Sequence, residues 1–597
     1  MLGEIGDIDL SRFATAAELF DELRRSRAEA VVVHDGTVTI DDHGLAALVD
    51  ALRAPMAATA SPVPLPGAGS AAVLETALDT ELPPAPSLPT ACPRLAVISV
   101  DAVASIGLST PGPGTDGRVG FASLCDALTS GGWRHVAAPG AVLDWDPSEV
   151  SGDVWPDGVA AEVSGPANDG LETHRLWART RLRPMSVLID GACVTDSIHN
   201  GSQAVVLNVA QALRRVRPDA EVGLAVPKEH VASTARVLAG TGVTVTERGR
   251  LDRRFDVVYR PYQLLDPGEV DWLVAAGERL VVAQLDMIAF SNPTYHVPAH
   301  FHAVRNLQRW TMRHADGVTF ISDFGRATAI GECPDLDPRR LFVVSCGADP
   351  TPPPGASPAP TVEGLVGGRF IACVSATFRH KNRQHAIGVF GELYRRGAYD
   401  GRLVVAGPEP YYGRSTEVDD EAIAALDPAT RERIVRLGQV DEGTKWWLLR
   451  SADLVLYPSI IEGFGLIPFE AASVGTPSLS HRGSAIAEVL DPAATVVGWD
   501  RVGWADAAAA ILDDPNERER VLTGVRNAAE RLTWDRSAEL AWEAFESTIA
   551  RPRSSFVVEE GGIRSRTGRR PERLATGVSA IHFGNRVLGY LERRFGS

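Results

Sequence analysis

Cysteine is scarce in this chain and spaced without pattern. Six stand among 597 residues, at Cys92, Cys125, Cys193, Cys333, Cys346 and Cys373. No two form a C-x-x-C pair, so neither a disulfide framework nor a zinc ribbon is indicated, and a reducing compartment is expected. No run of about 20 apolar residues occurs, so the sequence offers no membrane-spanning helix. The opening MLGEIGDIDLSRF lacks the basic and apolar regions of a secretory leader. The expected location is therefore cytoplasmic. GxSxG and P-loop motifs are missing as well. Basic charge is in deficit, with 59 Lys and Arg against 76 Asp and Glu and a net charge of −17. That balance argues against general nucleic-acid binding. It leaves room for a small anionic ligand held by local basic groups.

What is present is ordinary globular material: 45% hydrophobic and 23% charged residues. The length suggests three or four domains at roughly 100–200 residues each. Two stretches are rich in proline and small residues: PMAATASPVPLPGAGSAA from Pro55 and DPTPPPGASPAP from Asp349. Such composition buries little and cannot continue a helix or a central strand. The second reads as a domain linker, the first as a long loop within the N-terminal region. From Met185, MSVLIDGA, EVGLAV, FDVVYR, RLVVAQLD and ADGVTFIS read as strands, with VVLNVAQALRRV helical. Beyond the linker RFIACVSA, RLVVAGP, RIVRLGQV, ADLVLYPS and TPSLS repeat the theme, with NRQHAIGVFGELYRRG helical. Strands alternating with helices imply βαβ units and parallel sheets. The expectation is two doubly wound α/β domains, 184–350 and 362–550, facing each other across a cleft. A smaller α/β domain precedes them at 1–180, and a basic, partly helical tail follows at 551–597. Parallel sheets take ligands at the carboxyl ends of their strands, so the cleft is the expected site.

The most informative stretch is ADLVLYPSIIEGFGLIPFEAASVGTP. A strand ends at Pro458, a glycine turn follows, and Pro468 suits the first turn of a short helix. Gly475 stands where a helix C′ glycine belongs, and Pro477 blocks continuation. Glu462 falls in the turn and Glu470 in the helix. Carboxylates accept hydrogen bonds from hydroxyls, and the N–H groups of a helix start take phosphate. A sugar nucleotide presents both.

With RIVRLGQV before it and SAIAEVL after it, this unit resembles the E-x7-E signature of retaining glycosyltransferases of the GT-B fold, family 4. The resemblance runs from about Met185 to Ala550 and is densest from Arg433 to Leu490. It implies that Glu470 holds the nucleotide ribose and Glu462 a hydroxyl of the donor sugar. The backbone of Gly463, Phe464, Gly465 and Leu466 would contact sugar hydroxyls and the distal phosphate, and Val440 would help receive the base. SATFRHKNRQHA is similar to the family's basic element: Lys381 and Asn382 fit it, and Arg379 stands in for an arginine whose usual place is taken by Ser375. Stabilising the charge that develops on a leaving group is the main electrostatic task of such a site, and Arg379 and Lys381 are placed for it.

In the N-terminal half Gly201 and Ser202 of HNGSQ match the family's glycine loop. AQLDMIAFSNP matches an element that carries a His-Asp pair, here Leu285-Asp286, so Asp286 remains as a candidate near the acceptor while the histidine is absent. FISDFGRA places Ser322 close to the cleft. No metal and no cofactor is expected. The DxD triplets at Asp7, Asp144 and Asp335 read as loop charges or strand ends. His199, His380 and His481 lack metal-ligand spacing. The resemblance implies retention by front-face transfer, with the departing phosphate oxygen taking the acceptor's proton.

The expected function is transfer of a hexose, mannose among the options, from a GDP- or UDP-linked sugar to a glycan or lipid-linked acceptor in cell-surface polysaccharide or glycoconjugate synthesis. The alternative is a catalytically silent nucleotide- or glycan-binding subunit of such a machinery. Residues 1–180 resemble in outline a truncated GT-A (family 2) domain, used for packing, dimerisation or acceptor contact. A free-standing accessory domain fits them as well. After Ala550 the tail turns basic at Arg564, Arg566, Arg569, Arg570 and Arg573, and VSAIHFGNRVLGYLERRF has helical apolar spacing. It would lie on an anionic membrane surface, or pack on the body or on a second subunit in a homo-oligomer.

Overall fold

The computed structural model describes residues 183–195, 201–251, 253–295, 298–348, 360–410, 413–554 and the hairpin strands within 556–565, together with separate segments between 5 and 180. By its internal contacts the chain divides into two units. One holds Met1–Met185 with Glu546–Ser554, the other Ser186–Phe545 with Ser555–Ser597.

The first unit is built on a mixed sheet. Its strands are β1 (Ile5–Asp9), β2 (Ala30–His34), β3 (Ala57–Pro64), β4 (Ala72–Val73), β5 (Ser87–Leu88), β6 (Leu95–Ser99) and β7 (Arg134–Leu143), in the order β1-β2-β6-β3-β7-β4 with β5 also on β7. Leu19, Val31, Val33, Ala96, Ile98, Phe121 and Leu124 form its core. The strand β3 corrects the loop expected from the Pro55 stretch. Ala57, Ala60 and Ser61 are small enough to be buried between neighbours. Pairing with β6 is confined to Thr59 and Ala60, while the register on β7 shifts between Pro62 and Val63. The prolines thus fall where one ladder has ended and the other is irregular, which is where a strand tolerates them.

The second unit carries two wholly parallel sheets. In the first lobe, β8 (Ser186–Asp190), β9 (Glu221–Val226), β10 (Thr244–Glu247), β11 (Phe255–Arg260), β12 (Gly277–Gln284), β13 (Gly317–Phe320) and β14 (Leu341–Val343) run in the order β10-β9-β8-β11-β12-β13-β14. In the second lobe, β15 (Phe370–Val374), β16 (Arg402–Ala406), β17 (Ile434–Gly438), β18 (Leu454–Tyr457), β19 (Ser478–His481) and β20 (Thr495–Val496) run β17-β16-β15-β18-β19-β20. Both repeat the doubly wound order 3-2-1-4-5-6, and the α/β expectation of two Rossmann-like domains holds. β8 and β11 are buried along their whole length, as strands covered by helices on both faces must be. The strand order reverses between β8 and β11 in one lobe and between β15 and β18 in the other. Crevices open at such reversals, outside the carboxyl ends of the strands.

The helix Trp534–Ile549 returns to the first lobe. The Trp542 indole N–H donates to the Leu213 carbonyl at 3.2 Å, and Phe545 meets Tyr259 edge-on at 5.2 Å. Past Ala550 the described residues form an antiparallel hairpin, Phe556–Glu559 with Gly562–Ser565, which holds Arg564. Arg566, Arg569, Arg570, Arg573 and the helical stretch expected beyond them lie outside the described residues, as do the linker from Asp349 to Ala359, Asp144 to Asp146 and His199. Among the described residues no helix is long and apolar enough to cross a membrane.

Trp542 is 1% exposed, so Trp542→Ala should cost about 3–5 kcal/mol of stability by leaving a large cavity. Urea unfolding of the variant against the parent measures it.

Candidate functional site

At the second lobe's reversal point the chain leaves β15 through the turn Arg379–Lys381 and leaves β18 through a turn that ends at Gly465. Lys381 meets Glu462 there. The ammonium donates to both carboxylate oxygens, at 2.7 and 2.9 Å, and the Tyr457 hydroxyl donates to Oε1 at 2.6 Å. The Glu462 amide donates to Ser484 Oγ at 2.9 Å. Burial pushes the Glu462 carboxyl up, but the Lys381 ammonium and the Tyr457 hydroxyl outweigh it and hold the group below the usual carboxylate range. Asn382 follows in the left-handed region at φ 52° and opens the helix Arg383–Arg395. Asparagine tolerates that conformation better than other side chains.

The short helix Ile467–Ser473 starts with Pro468 in its first turn. It ends as expected at Gly475, φ +86°. The Gly475 and Thr476 amides donate back to Ala472 and Ala471 at 3.1 and 2.9 Å, the paired bonds of a glycine-capped helix end. This frame sets Glu470 facing Lys445, whose ammonium donates to Oε1 at 3.0 Å and to Glu442 at 2.6 Å. Glu470 Oε2 is buried and has no partner among the described residues. Burial raises the Glu470 carboxyl, and Lys445 offsets this in part. Lys445 itself is held above its ordinary range: burial opposes its charge, and the two carboxylates outweigh that.

The two lobes touch at these turns. A Cβ on Gly463 would stand 2.2 Å from the Leu285 carbonyl oxygen and 2.9 Å from Asp286 Cβ, so only glycine permits the approach. Asp286 accepts from the Ile288 amide at 2.9 Å. Burial raises its carboxyl, with the Ile288 amide and Lys381 pulling the other way. Gly465 has φ +95°, and a Cβ there would meet Ile486 Cδ1 at 2.4 Å. Phe464 is buried and stacks on Phe469, leaving only its backbone for a ligand. Leu466 is the residue before the helix, and Val440 packs on the second lobe's core.

Other expected residues sit apart. Arg379 shares the turn with Lys381, but its side chain is exposed. Gly201 and Ser202 are the first residues of the helix Gly201–Val216 and not part of a loop, and nothing lies within 4 Å of a Cβ placed on Gly201. Ser322 caps the helix Asp323–Glu332 by accepting from the Gly325 amide at 3.1 Å. The acidic triplet at Asp335 is accounted for locally: Asp335 pairs with Arg309 at 3.3 Å, and Asp337 caps the turn Pro338–Arg340.

At the first lobe's reversal point, Asp190 of β8 and Arg260 of β11 form a buried pair at 2.5 Å. Arg248 reaches Asp190 at 2.9 Å, and Glu269 binds Arg260 at 3.0 Å. Two guanidiniums and two carboxylates neutralise one another there.

Sequence reasoning did not find Tyr457, Ser484 or Lys445. A signal for Lys445 existed: the chain has only three lysines, at 228, 381 and 445, and two of them hold the two glutamates of the motif.

The strand order, the paired glutamates and the glycine turn define a family, and comparison with known proteins agrees. Residues 332–540 match the model described as family 4 glycosyltransferase in conflict systems. The second unit is thus similar to family 4 glycosyltransferases of GT-B architecture, and the chain is an enzyme of the glycosyl-transferring class. Among curated proteins it is similar to the D-inositol 3-phosphate glycosyltransferase of Corynebacterium efficiens, 26% identical over 392 residues that make up 62% of this chain and 88% of that protein. The protein of the same name from Xylanimonas cellulosilytica is 34% identical over 155 residues, 25% of this chain and 37% of that one. Among solved structures, sucrose-phosphate synthase from Thermosynechococcus elongatus aligns with a TM-score of 0.44 at 14% identity, covering 60% of this chain and 98% of that one.

Acid should weaken this lobe through its histidines. Burial holds both His380 and His385 down to about 4, from an ordinary 6.5. The unfolded chain takes up these protons as pH falls through 6.5, and the folded chain does so only near 4. Stability is therefore lost across that window. The thermal midpoint should drop between pH 6.5 and 4, and His385→Gln should flatten the drop.

Proposed function

We propose that this enzyme moves a hexose, with retention of anomeric configuration, from a GDP- or UDP-linked donor to a glycan or lipid-linked acceptor, without a metal. Residues 362–550 serve the sugar nucleotide, residues 184–350 the acceptor, and residues 1–180 form an accessory domain. The observation that carries the reading is the unmatched Glu470 Oε2, buried on the helix that follows the Glu462 turn. A buried carboxylate oxygen without a donor is costly unless a ligand supplies one, and a ribose hydroxyl is such a donor. Glu462, already charged and fixed, would accept from a hydroxyl of the donor sugar.

In the reaction the bond from the anomeric carbon to the phosphate oxygen breaks. The acceptor oxygen bonds to that carbon on the same face, and its proton passes to the departing oxygen. Lys381 stabilises the charge left on the diphosphate. The backbone of Gly463 to Leu466, Asn382 and Val440 would complete the donor site. Asp286 would stand on the acceptor side. Arg379 from its turn, and Gly201 and Ser202 from the start of their helix, would contact the diphosphate.

The named relatives make a phosphorylated polyol such as D-inositol 3-phosphate the first acceptor to test. A role in cell-surface glycan synthesis draws on the E-x7-E unit alone. The description of the matching model favours a role in conflict systems instead.

A thermal-shift screen with GDP, UDP and their sugars identifies the donor, since a ligand at ten times its Kd adds about 1.4 kcal/mol. Glu470→Ala should then weaken donor binding roughly 10- to 150-fold, the worth of a charge-assisted hydrogen bond. Lys381→Met should lower kcat by about 10²–10³, with the thermal midpoint followed because an unpaired Glu462 costs stability. Full activity in both variants would overturn these assignments. Nucleotide binding with no turnover on any donor and acceptor would leave the silent scaffold.

A further inference from the structure

The first lobe sends one side chain into the turn that carries Lys381. Tyr295 ends the turn Pro293–Tyr295. Its ring stands edge-on to Phe378 and His380 of the second lobe, with centroids at 5.9 and 5.2 Å. Gly413 closes this socket at φ +67°, and a Cβ there would lie 2.4 Å from Tyr295 Cδ1. The His380 amide donates to the Tyr295 hydroxyl oxygen at 3.0 Å. The same hydroxyl lies 3.0 Å from His380 Nδ1. The amide takes one lone pair of the phenol oxygen, and the bond to Nδ1 runs either way with the tautomer: the phenol donates to a bare Nδ1 or accepts from Nδ1–H. Burial favours the neutral ring in both cases.

His380 is bound on its other side as well. Its carbonyl accepts from the Ile460 amide at 2.7 Å, in the turn that delivers Glu462. Tyr295 therefore touches neither member of the Lys381–Glu462 pair, yet it fixes the residue that joins their two turns. Other contacts cross between the lobes near the site, among them Gly463 against Leu285 and the Asp323 amide donating to Glu488 at 3.0 Å. Neither bonds to the Lys381 turn.

We propose that Tyr295 is a positioning residue: its phenol, seated on His380, couples approach of the first lobe to the register of the Lys381 and Glu462 turns. The inference rests on the reading in which Lys381 stabilises the leaving diphosphate. Withdrawal of the first lobe removes the phenol from His380 and leaves the His380–Ile460 and Lys381–Glu462 bonds without that support, so the register of the two turns is held most firmly when the lobes are together.

Tyr295→Phe keeps the ring and removes the hydroxyl. It should lower kcat about tenfold or more while donor KM stays within about threefold, the split expected when an interaction acts in the transition state and not in binding. Beside Lys381→Met the same change should add little, because groups acting as one unit are not additive. Hydrogen exchange gives a readout independent of activity. The Ile460 amide, whose own acceptor is untouched, should exchange about tenfold faster in Tyr295→Phe, with the β15 amides unchanged. Unchanged exchange at Ile460 would overturn the proposal. So would a kcat within about twofold of the parent, or a full effect persisting beside Lys381→Met. Absence of transfer by the parent with every donor would defeat the functional reading, and exchange at Ile460 would still decide this one.

Discussion

One ammonium gripping one carboxylate organises the second lobe. Lys381 and Glu462 are 81 residues apart, on turns leaving adjacent strands, and both are largely buried. Removing such ions from water costs several kcal/mol each, recovered only when geometry is good and remaining valences are met. Here both carboxylate oxygens lie within 3 Å of Lys381 Nζ, and Tyr457 adds a phenolic donor. The pair can form only because β15 and β18 are neighbours, and they are neighbours only because the strand order reverses between them. Topology, burial and charge therefore converge on one point of the sheet.

The same reversal in the first lobe is handled differently. Asp190, Arg248, Arg260 and Glu269 close on one another, so this crevice mouth is fixed by internal charge pairs. In the second lobe the Glu470 carboxylate keeps one oxygen unmatched. A chain folding for stability alone gains nothing from that atom, since an unsatisfied buried acceptor costs about 1–3 kcal/mol. The first-lobe cluster has an unmatched atom too, Arg260 Nε, but that is a donor, whereas the atom left over in the second lobe is an acceptor.

Much of this was legible in the sequence, for physical reasons that also set the limits. Strands buried on both faces are short unbroken apolar runs, so SVLID, FDVVYR and FIACV announce themselves. The edge strands β10, β14 and β20 do not, because half-buried residues such as Thr244 to Glu247 carry no such run. The helix end at Gly475 follows from a backbone that must turn left-handed there. The strand β3 was hidden because Pro62 and Pro64 argue against a ladder, and nothing local shows that pairing is already irregular at those residues. Partners across the fold were hidden for the same reason. Periodicity reports which face of an element is apolar, and it does not report that Lys445 lies over Glu470 or that Tyr295 reaches His380.

Lysine rather than arginine at both glutamates has a consequence for chemistry. Three of the chain's 59 basic residues are lysine. A guanidinium meets a carboxylate through a planar fork, whereas an ammonium is a compact charge with three rotatable donors. Lys381 directs two of these to Glu462, which leaves a third direction for a phosphate oxygen without breaking the pair. Lys445 similarly divides its donors between Glu442 and Glu470, so Glu470 can accept from a hydroxyl while keeping its counter-charge. In each case the compact cation neutralises the glutamate and still leaves one side of the pair open, a geometry that a bidentate arginine would close.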